Sequence, residues 1–271
     1  MDWRKTLVIF AVVFLLLDLY LAFLWYTKQQ ENELDALSQT SFEETLKEQQ
    51  VSIDKVNFKT HPTTAPYLSA RYNKFKLKDF EKLTKQKFKL ENNGFLMVSE
   101  LKDDIVAEGP DFTALKNYVA NNIYRGSSYS MVNYNDDTTE IVFKQKYDNK
   151  RFVEGDDAKL VFYCEDGYVK SYTQTMLTDI TKLSGTNDLI SPSQGFESLF
   201  QNNKIPSKAD LVDIQLGYYI LGNLESSNVY MPVWYYTIEV DDQRMQLMVD
   251  AIEGQVLTTE MSQKVEYTAQ S

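Results

Sequence analysis

His61 and Cys164 are the single histidine and single cysteine of the chain, so a nucleophilic dyad would have to be built from that pair. Cys164 closes the alternating run Leu160–Cys164, where a thiol behaves as a small hydrophobic group inside a strand. His61 precedes Pro62 in the loop Thr60–Pro66. Neither Gly-x-Ser-x-Gly nor His-Glu-x-x-His occurs. One histidine and one cysteine also exclude most zinc sites and any internal disulfide. The acidic pairs Asp103/Asp104, Asp136/Asp137, Asp156/Asp157 and Asp241/Asp242 fall at predicted turns, where Asp favours local backbone hydrogen bonds. None has EF-hand spacing. These residue types assign no catalysis, no metal and no cofactor, and the chain reads as a non-enzyme.

The remaining chemical oddity is Asp18. It is the one charge in Leu7–Tyr26, LVIFAVVFLLLDLYLAFLWY. Twenty helical residues rise about 30 Å, the thickness of a bilayer's hydrocarbon core. The Leu, Ile, Val and Phe side chains contribute roughly −6 kcal/mol to insertion against about +3 for a central Asp. The segment is therefore expected to span a membrane. Arg4 and Lys5 precede it, which favours a cytoplasmic amino terminus and an extracytoplasmic remainder. A cleaved signal peptide shares the charged start, but apolar and aromatic residues continue to Tyr26 and no small-x-small cleavage site directly follows them. Helical spacing puts Ala11, Phe14, Leu15, Asp18, Leu21, Ala22 and Trp25 on one face. An ionisable group in a spanning helix usually faces a protein partner or a cavity, so this face is the expected transmembrane interaction surface; the alternative is an Asp18 that is protonated, or bonded to its own backbone, with no partner.

The elements that follow are expected to be α+β. Residues 1–6 form a cytoplasmic tail, 7–26 the transmembrane helix and 27–50 a polar stalk. In the stalk, Ser41 and Glu44 resemble a capping box opening a helix over Phe42–Gln50. A first extracytoplasmic domain covers 51–183, with strand-like runs at Val51–Phe58 and Tyr67–Phe75 and a helical run at Lys78–Lys85. A hairpin is predicted around Asn93-Gly94, two residues that tolerate positive φ. A helix over Phe112–Ile123 then precedes strands at Ser130–Asn133, Thr138–Tyr147, Lys159–Glu165 and Tyr168–Met176. A second domain, 190–271, repeats the plan. Ser191 caps a helix with Pro192 at its first position and Phe196, Leu199 and Phe200 in its buried stripe. Strands are expected at Leu211–Leu221, Val229–Val240, Arg244–Ala251 and Gln255–Thr259. Two helix-on-antiparallel-sheet modules result.

Composition bounds the partners. The formal net charge is −11 and the pI near 4.7, which opposes nucleic-acid binding because phosphate neutralisation needs a basic surface.

Several motifs carry a family resemblance. Met1-Asp-Trp-Arg-Lys-Thr6 runs into an apolar segment containing Leu-Leu-Asp-Leu. Leu160–Leu177 reads as strand, acidic turn, and strand with a Tyr-x-Gln run. Tyr218-Tyr219 precedes Met231-Pro-Val-Trp234 and Val249-Asp-Ala-Ile-Glu-Gly254. In this order the motifs resemble the YycI (WalI) family, and the last of them is also similar to the PepSY domain. In that pattern, where Asp250 begins the Asp-Ala-x-x-Gly turn, Trp234 would fill a sheet–helix interface and Gly254 would permit the turn. The resemblance implies a membrane-anchored accessory regulator of a cell-wall two-component system. Its partners would be a YycG/WalK-type sensor histidine kinase and a YycH-type protein, and its transmembrane helix would bias the kinase. Without the resemblance, an extracellular binding module for a peptide, wall fragment or protease, tethered by the anchor, accounts for the same residues.

Overall fold

The computed structural model describes residues 3, 7, 10, 13–22, 42–106, 112–132, 139–153, 155, 158–183, 185–223, 227–241 and 243–257. The chain divides into two compact units, Met1–Ser52 with Pro206–Ala209, and Ile53–Ile205 with Asp210–Ser271.

In the first unit residues 13–22 and 42–48 are helical. Among the described residues no helix is long and apolar enough to cross a membrane. The expected span includes positions outside the described residues, Ala11 and Trp25 among them, as does the capping residue Ser41. Gln50, at φ 58°, ends the 42–48 helix in the left-handed region. Val51 N–H donates to the Leu46 carbonyl at 2.8 Å, and both side chains are buried. Ser52 N–H donates to the Ala209 carbonyl at 2.9 Å.

The second unit holds the strands. In chain order they are β1 (Thr64–Ala65), β2 (Leu68–Tyr72), β3 (Gln86–Glu91), β4 (Leu96–Val106), β5 (Tyr129–Met131), β6 (Glu140–Tyr147), β7 (Lys150–Arg151) and β8 (Lys159–Glu165). There follow β9 (Tyr168–Gln174), β10 (Leu177–Lys182), β11 (Asn187–Asp188), β12 (Asp210–Asn223), β13 (Asn228–Val240), β14 (Gln243–Asp250) and β15 (Val256–Leu257). One sheet runs β3-β4-β9-β8-β6-β5, with β7 paired to β6. The other runs β10-β2-β13-β14-β15, with β12 paired to β13. A two-stranded pair, β1 and β11, completes the set.

Each large sheet carries a helix. Thr113–Asn122 buries Leu115 and Val119 in a cluster with Met97, Ile141, Phe143 and Phe162 of the seven-stranded sheet. Pro192–Gln201 buries Phe196 and Leu199, with the Phe196 ring 5.7 Å from that of Tyr236 on β13. The fold is thus a mixture of helices and antiparallel sheet.

Several local expectations change. Val51–Phe58 forms no strand, only an isolated bridge residue at Ser52; turns at 54–55 and 58–59 interrupt its alternation. Lys78–Lys85 is not an α-helix but a single 3-10 turn, Leu77–Phe80, because Phe80 turns inward to stack on Phe88 at 4.8 Å. The predicted hairpin forms between β3 and β4, with Asn93 at φ 57° and Gly94 at φ 93°. Its connection contains a 3-10 turn, so the loop is wider than a two-residue turn.

Strand pairing also links distant parts of the sequence. β2 and β10, both from 51–183, join the sheet built by β12–β15. Leu68, Ala70 and Leu177 are buried there with Tyr218 and Tyr230. The two large sheets meet where Val153 N–H donates to the Tyr218 carbonyl at 2.9 Å and Gln145 Nε2 to the Leu177 carbonyl at 2.9 Å.

Candidate functional site

The site predicted from the carboxyl-terminal motif is a dense junction between β13, β14 and the Pro192–Gln201 helix. Trp234 is fully buried, and its indole Nε1 donates to the Ile190 carbonyl at 2.9 Å. Two residues on, and therefore on the same face of β13, the Tyr236 hydroxyl donates to the Pro192 carbonyl at 2.7 Å. These aromatic donors grip the chain where the helix begins. Ser191 completes the entry: its Oγ accepts from Gln194 N–H while Gln194 Oε1 accepts from Ser191 N–H, the reciprocal bonding of a capping box. Gly195 lies under the Tyr236 hydroxyl, which a Cβ at that position would strike.

Asp250 ends β14 and is buried. Its Oδ1 accepts from Ile252 N–H at 2.7 Å and Glu253 N–H at 3.2 Å, a side-chain-capped turn. Gly254 follows at φ 75°, a conformation that disfavours a residue with a Cβ. The turn returns the chain to β15 and lets Ile190 N–H donate to the Ala251 carbonyl at 2.9 Å. Trp234, Asp250 and Gly254 therefore belong to one assembly, and the roles it gives them are packing and turn formation.

The sequence did not single out Tyr236, Gly195 or the carbonyls of Ile190 and Pro192. The Tyr-rich run after Trp234 was a usable signal, because a buried phenol must find a hydrogen-bond partner. Burial raises the Tyr236 pKa well above its usual range, so the hydroxyl keeps its proton, and its role as donor, further into alkali than an exposed tyrosine would.

His61 and Cys164 attach to different sheets. The His61 ring meets Trp234 edge-on at 5.5 Å, and its Nε2 lies 2.8 Å from the Asn57 carbonyl. Cys164 is partly buried on β8, packed against the core of the seven-stranded sheet, and burial pushes its thiol pKa up, the reverse of what nucleophilic activation requires. Among the described residues no group of three His, Cys, Asp or Glu side chains could hold a metal ion. An open cleft of about 700 Å³ lies beside the seven-stranded sheet, bordered by its Lys159, Tyr163 and Thr173, by Phe95 just before β4, and by Tyr72 of β2 from the other large sheet.

Of the expected transmembrane face, Phe14, Leu15, Asp18, Leu21 and Ala22 are helical and exposed, Leu15 at 60%.

A family model described as YycI protein matches residues 29–252. The chain belongs to the YycI family. No curated protein matches it. Among solved structures, an uncharacterized protein from Eubacterium rectale is 11% identical, with a TM-score of 0.47, covering 78% of this chain and 89% of that one. The Bacillus megaterium YpeB C-terminal domain is 11% identical, with a TM-score of 0.39, covering 70% and 88%. YycH from Bacillus subtilis is 12% identical, with a TM-score of 0.40, covering 67% of this chain and 52% of YycH. The YycI family is one of regulatory accessory proteins and is not known as enzymatic, so membership supports an accessory role in two-component regulation.

Proposed function

We propose that this YycI-family chain is a single-pass membrane protein that modulates a cell-wall sensor histidine kinase through transmembrane helix contacts. Its amino terminus is cytoplasmic, its two sheets lie outside, and it works in complex with a YycH-type partner. The observation that carries this reading is the twenty-residue apolar run Leu7–Tyr26 interrupted only by Asp18, joined to a chain whose family is regulatory. The apolar side chains Phe14, Leu15 and Leu21 are bare in the isolated chain and need a lipid or protein environment. Asp18 supplies a hydrogen-bonding group that a neighbouring helix can satisfy, and Ala11 and Ala22 permit close approach. Regulation then requires the helix to bind one kinase state better than the other, since only differential affinity shifts the equilibrium.

Exchange of Leu7–Tyr26 for an unrelated membrane helix tests the reading. Kinase output should change to that of a strain lacking the protein while membrane retention persists. Full regulation by the swapped chain would instead favour a tethered extracellular binding module. Asp18→Leu should weaken site-specific crosslinking to the kinase helices; unchanged crosslinking would remove Asp18 from the interface.

A further inference from the structure

The stretch 74–89 reverses the charge of the chain. It holds Lys74, Lys76, Lys78, Lys82, Lys85, Lys87 and Lys89 against Asp79 and Glu81, in a protein of net charge −11. All seven lysines are exposed. Lys85 and Lys89 are matched by Asp103 and Glu91 at 2.8 and 2.6 Å. Lys74, Lys76 and Lys78 form no ion pair among the described residues.

These three lysines belong to one tip. Phe75 N–H donates to the Gly94 carbonyl at 2.8 Å, tying the Lys74–Leu77 segment to the β3–β4 hairpin loop. Lys74 Nζ stands 5.9 Å from the centroid of the Phe95 ring. Phe75 points inward at 2% exposure, whereas Leu77 and Phe95 are 65% and 42% exposed. Bare apolar side chains among unpaired ammonium groups suit an anionic bilayer surface: the ammonium groups meet headgroup phosphates while Leu and Phe reach the acyl boundary. Free phosphate or an acidic peptide satisfies the lysines but leaves the apolar pair unexplained.

We propose that the tip formed by Lys74, Lys76, Leu77, Lys78 and Phe95 docks on an anionic lipid surface. The inference rests on the membrane-anchor reading above, because a tether raises the effective concentration of bilayer at the tip and lets a few weak contacts suffice.

The test uses the full chain in the Cys164→Ser background, with an environment-sensitive dye on Leu77→Cys and, separately, on Gln243→Cys of the other sheet. Vesicles are phosphatidylcholine with or without phosphatidylglycerol. A lipid-borne quencher should suppress the Leu77 dye about twofold more in the anionic vesicles and leave the Gln243 dye unchanged. About 0.5 M salt should erase the difference, because the Debye length then falls to a few Å. Lys74→Glu, Lys76→Glu and Lys78→Glu combined should do the same, and the salt arm reads the contact without any change of fold. Equal quenching in both vesicle types, or quenching that survives the charge reversals, overturns the proposal. An equal dye response to soluble polyphosphate, or to polyglutamate as an acidic-protein mimic, also overturns the lipid assignment. Retention through an alkaline carbonate wash reports the anchor separately. A chain that washes off while its tip still responds to added vesicles breaks the anchor reading alone, and a retained chain with a silent tip breaks only this one.

Discussion

The two helix-bearing sheets hold their helices from opposite ends. On the six-stranded sheet, Trp234 and Tyr236 donate to carbonyls at the amino-terminal entry of Pro192–Gln201. On the seven-stranded sheet, the Thr113–Asn122 helix starts without a side-chain cap, from Phe112 at φ 48°. It is held instead at its far end, where Gln86 Nε2 donates to the Asn122 carbonyl at 2.8 Å and Gln174 Nε2 to the Tyr124 carbonyl at 2.8 Å. A helix leaves its last carbonyls without intrahelical partners; the buried Gln86 supplies a donor to one of them, and the buried Gln174 fixes the chain two residues past the helix end. One junction is aromatic and the other is an amide network, although both rest on the same architecture.

Alkali should produce the largest effect and act on both sheets. Burial pushes the pKa of Tyr118 in one assembly and Tyr218 in the other up to about 12. Tyr129, Tyr172, Tyr235 and Tyr236 are also raised by burial. Above the ordinary tyrosine value near 10 the unfolded chain ionises first, so it binds fewer protons than the native state and stability falls as pH rises. The contribution is intact below about pH 10 and is lost as pH rises through about 12 and beyond. Denaturant midpoints measured across this range check the sign.

Trp234→Ala separates the two assemblies. It opens a large cavity and removes the donor to Ile190, at an expected cost of about 3–5 kcal/mol. Amide exchange should accelerate across Pro192–Gln201 while Leu115 and Val119 keep their protection. Equal acceleration in both helices would show that the two junctions unfold as one unit.

Gln86→Leu is the converse change. It strands the Asn122 carbonyl and the Ser99 hydroxyl, which donates to Gln86 Oε1 at 3.1 Å, and should cost about 1–3 kcal/mol by chemical denaturation. Faster exchange is expected at the carboxyl-terminal turn of Thr113–Asn122 and not in the other helix. Gly254→Ala is the smallest perturbation. It forces a Cβ into a left-handed turn and should lower stability by about 1 kcal/mol, with the midpoint shifted and the denaturant slope unchanged.

The legible parts of the fold were those written in short-range chemistry. Ser191-Pro192 with Gln194 marks a helix start whose bonds close within four residues. Asn93-Gly94 marks a turn because both residues accept positive φ. The Lys159–Glu165 strand appeared with the predicted bounds. Val51–Phe58 misled because alternation alone does not supply a partner strand. The membership of β2 and β10 in the carboxyl-terminal sheet was hidden because it pairs Leu68 with Tyr230 and Ser69 with Val229, contacts that no local pattern encodes. The aromatic junction was half visible: Trp234, Asp250 and Gly254 stood out as a motif, whereas Tyr236 gained its role only from a carbonyl far away in sequence.

The amino-acid order alone determined the apolar run around Asp18, the acidic balance, the absence of a familiar catalytic signature, the helix start at Ser191 and the family, because each is a property of composition or of neighbours along the chain. Only the tertiary structure decided which strands share a sheet, which end of each helix is held, and that Lys74 of one loop stands over Phe95 of another. Those outcomes depend on burying apolar surface and satisfying backbone polar groups between segments far apart in the chain, a requirement that the whole fold meets at once.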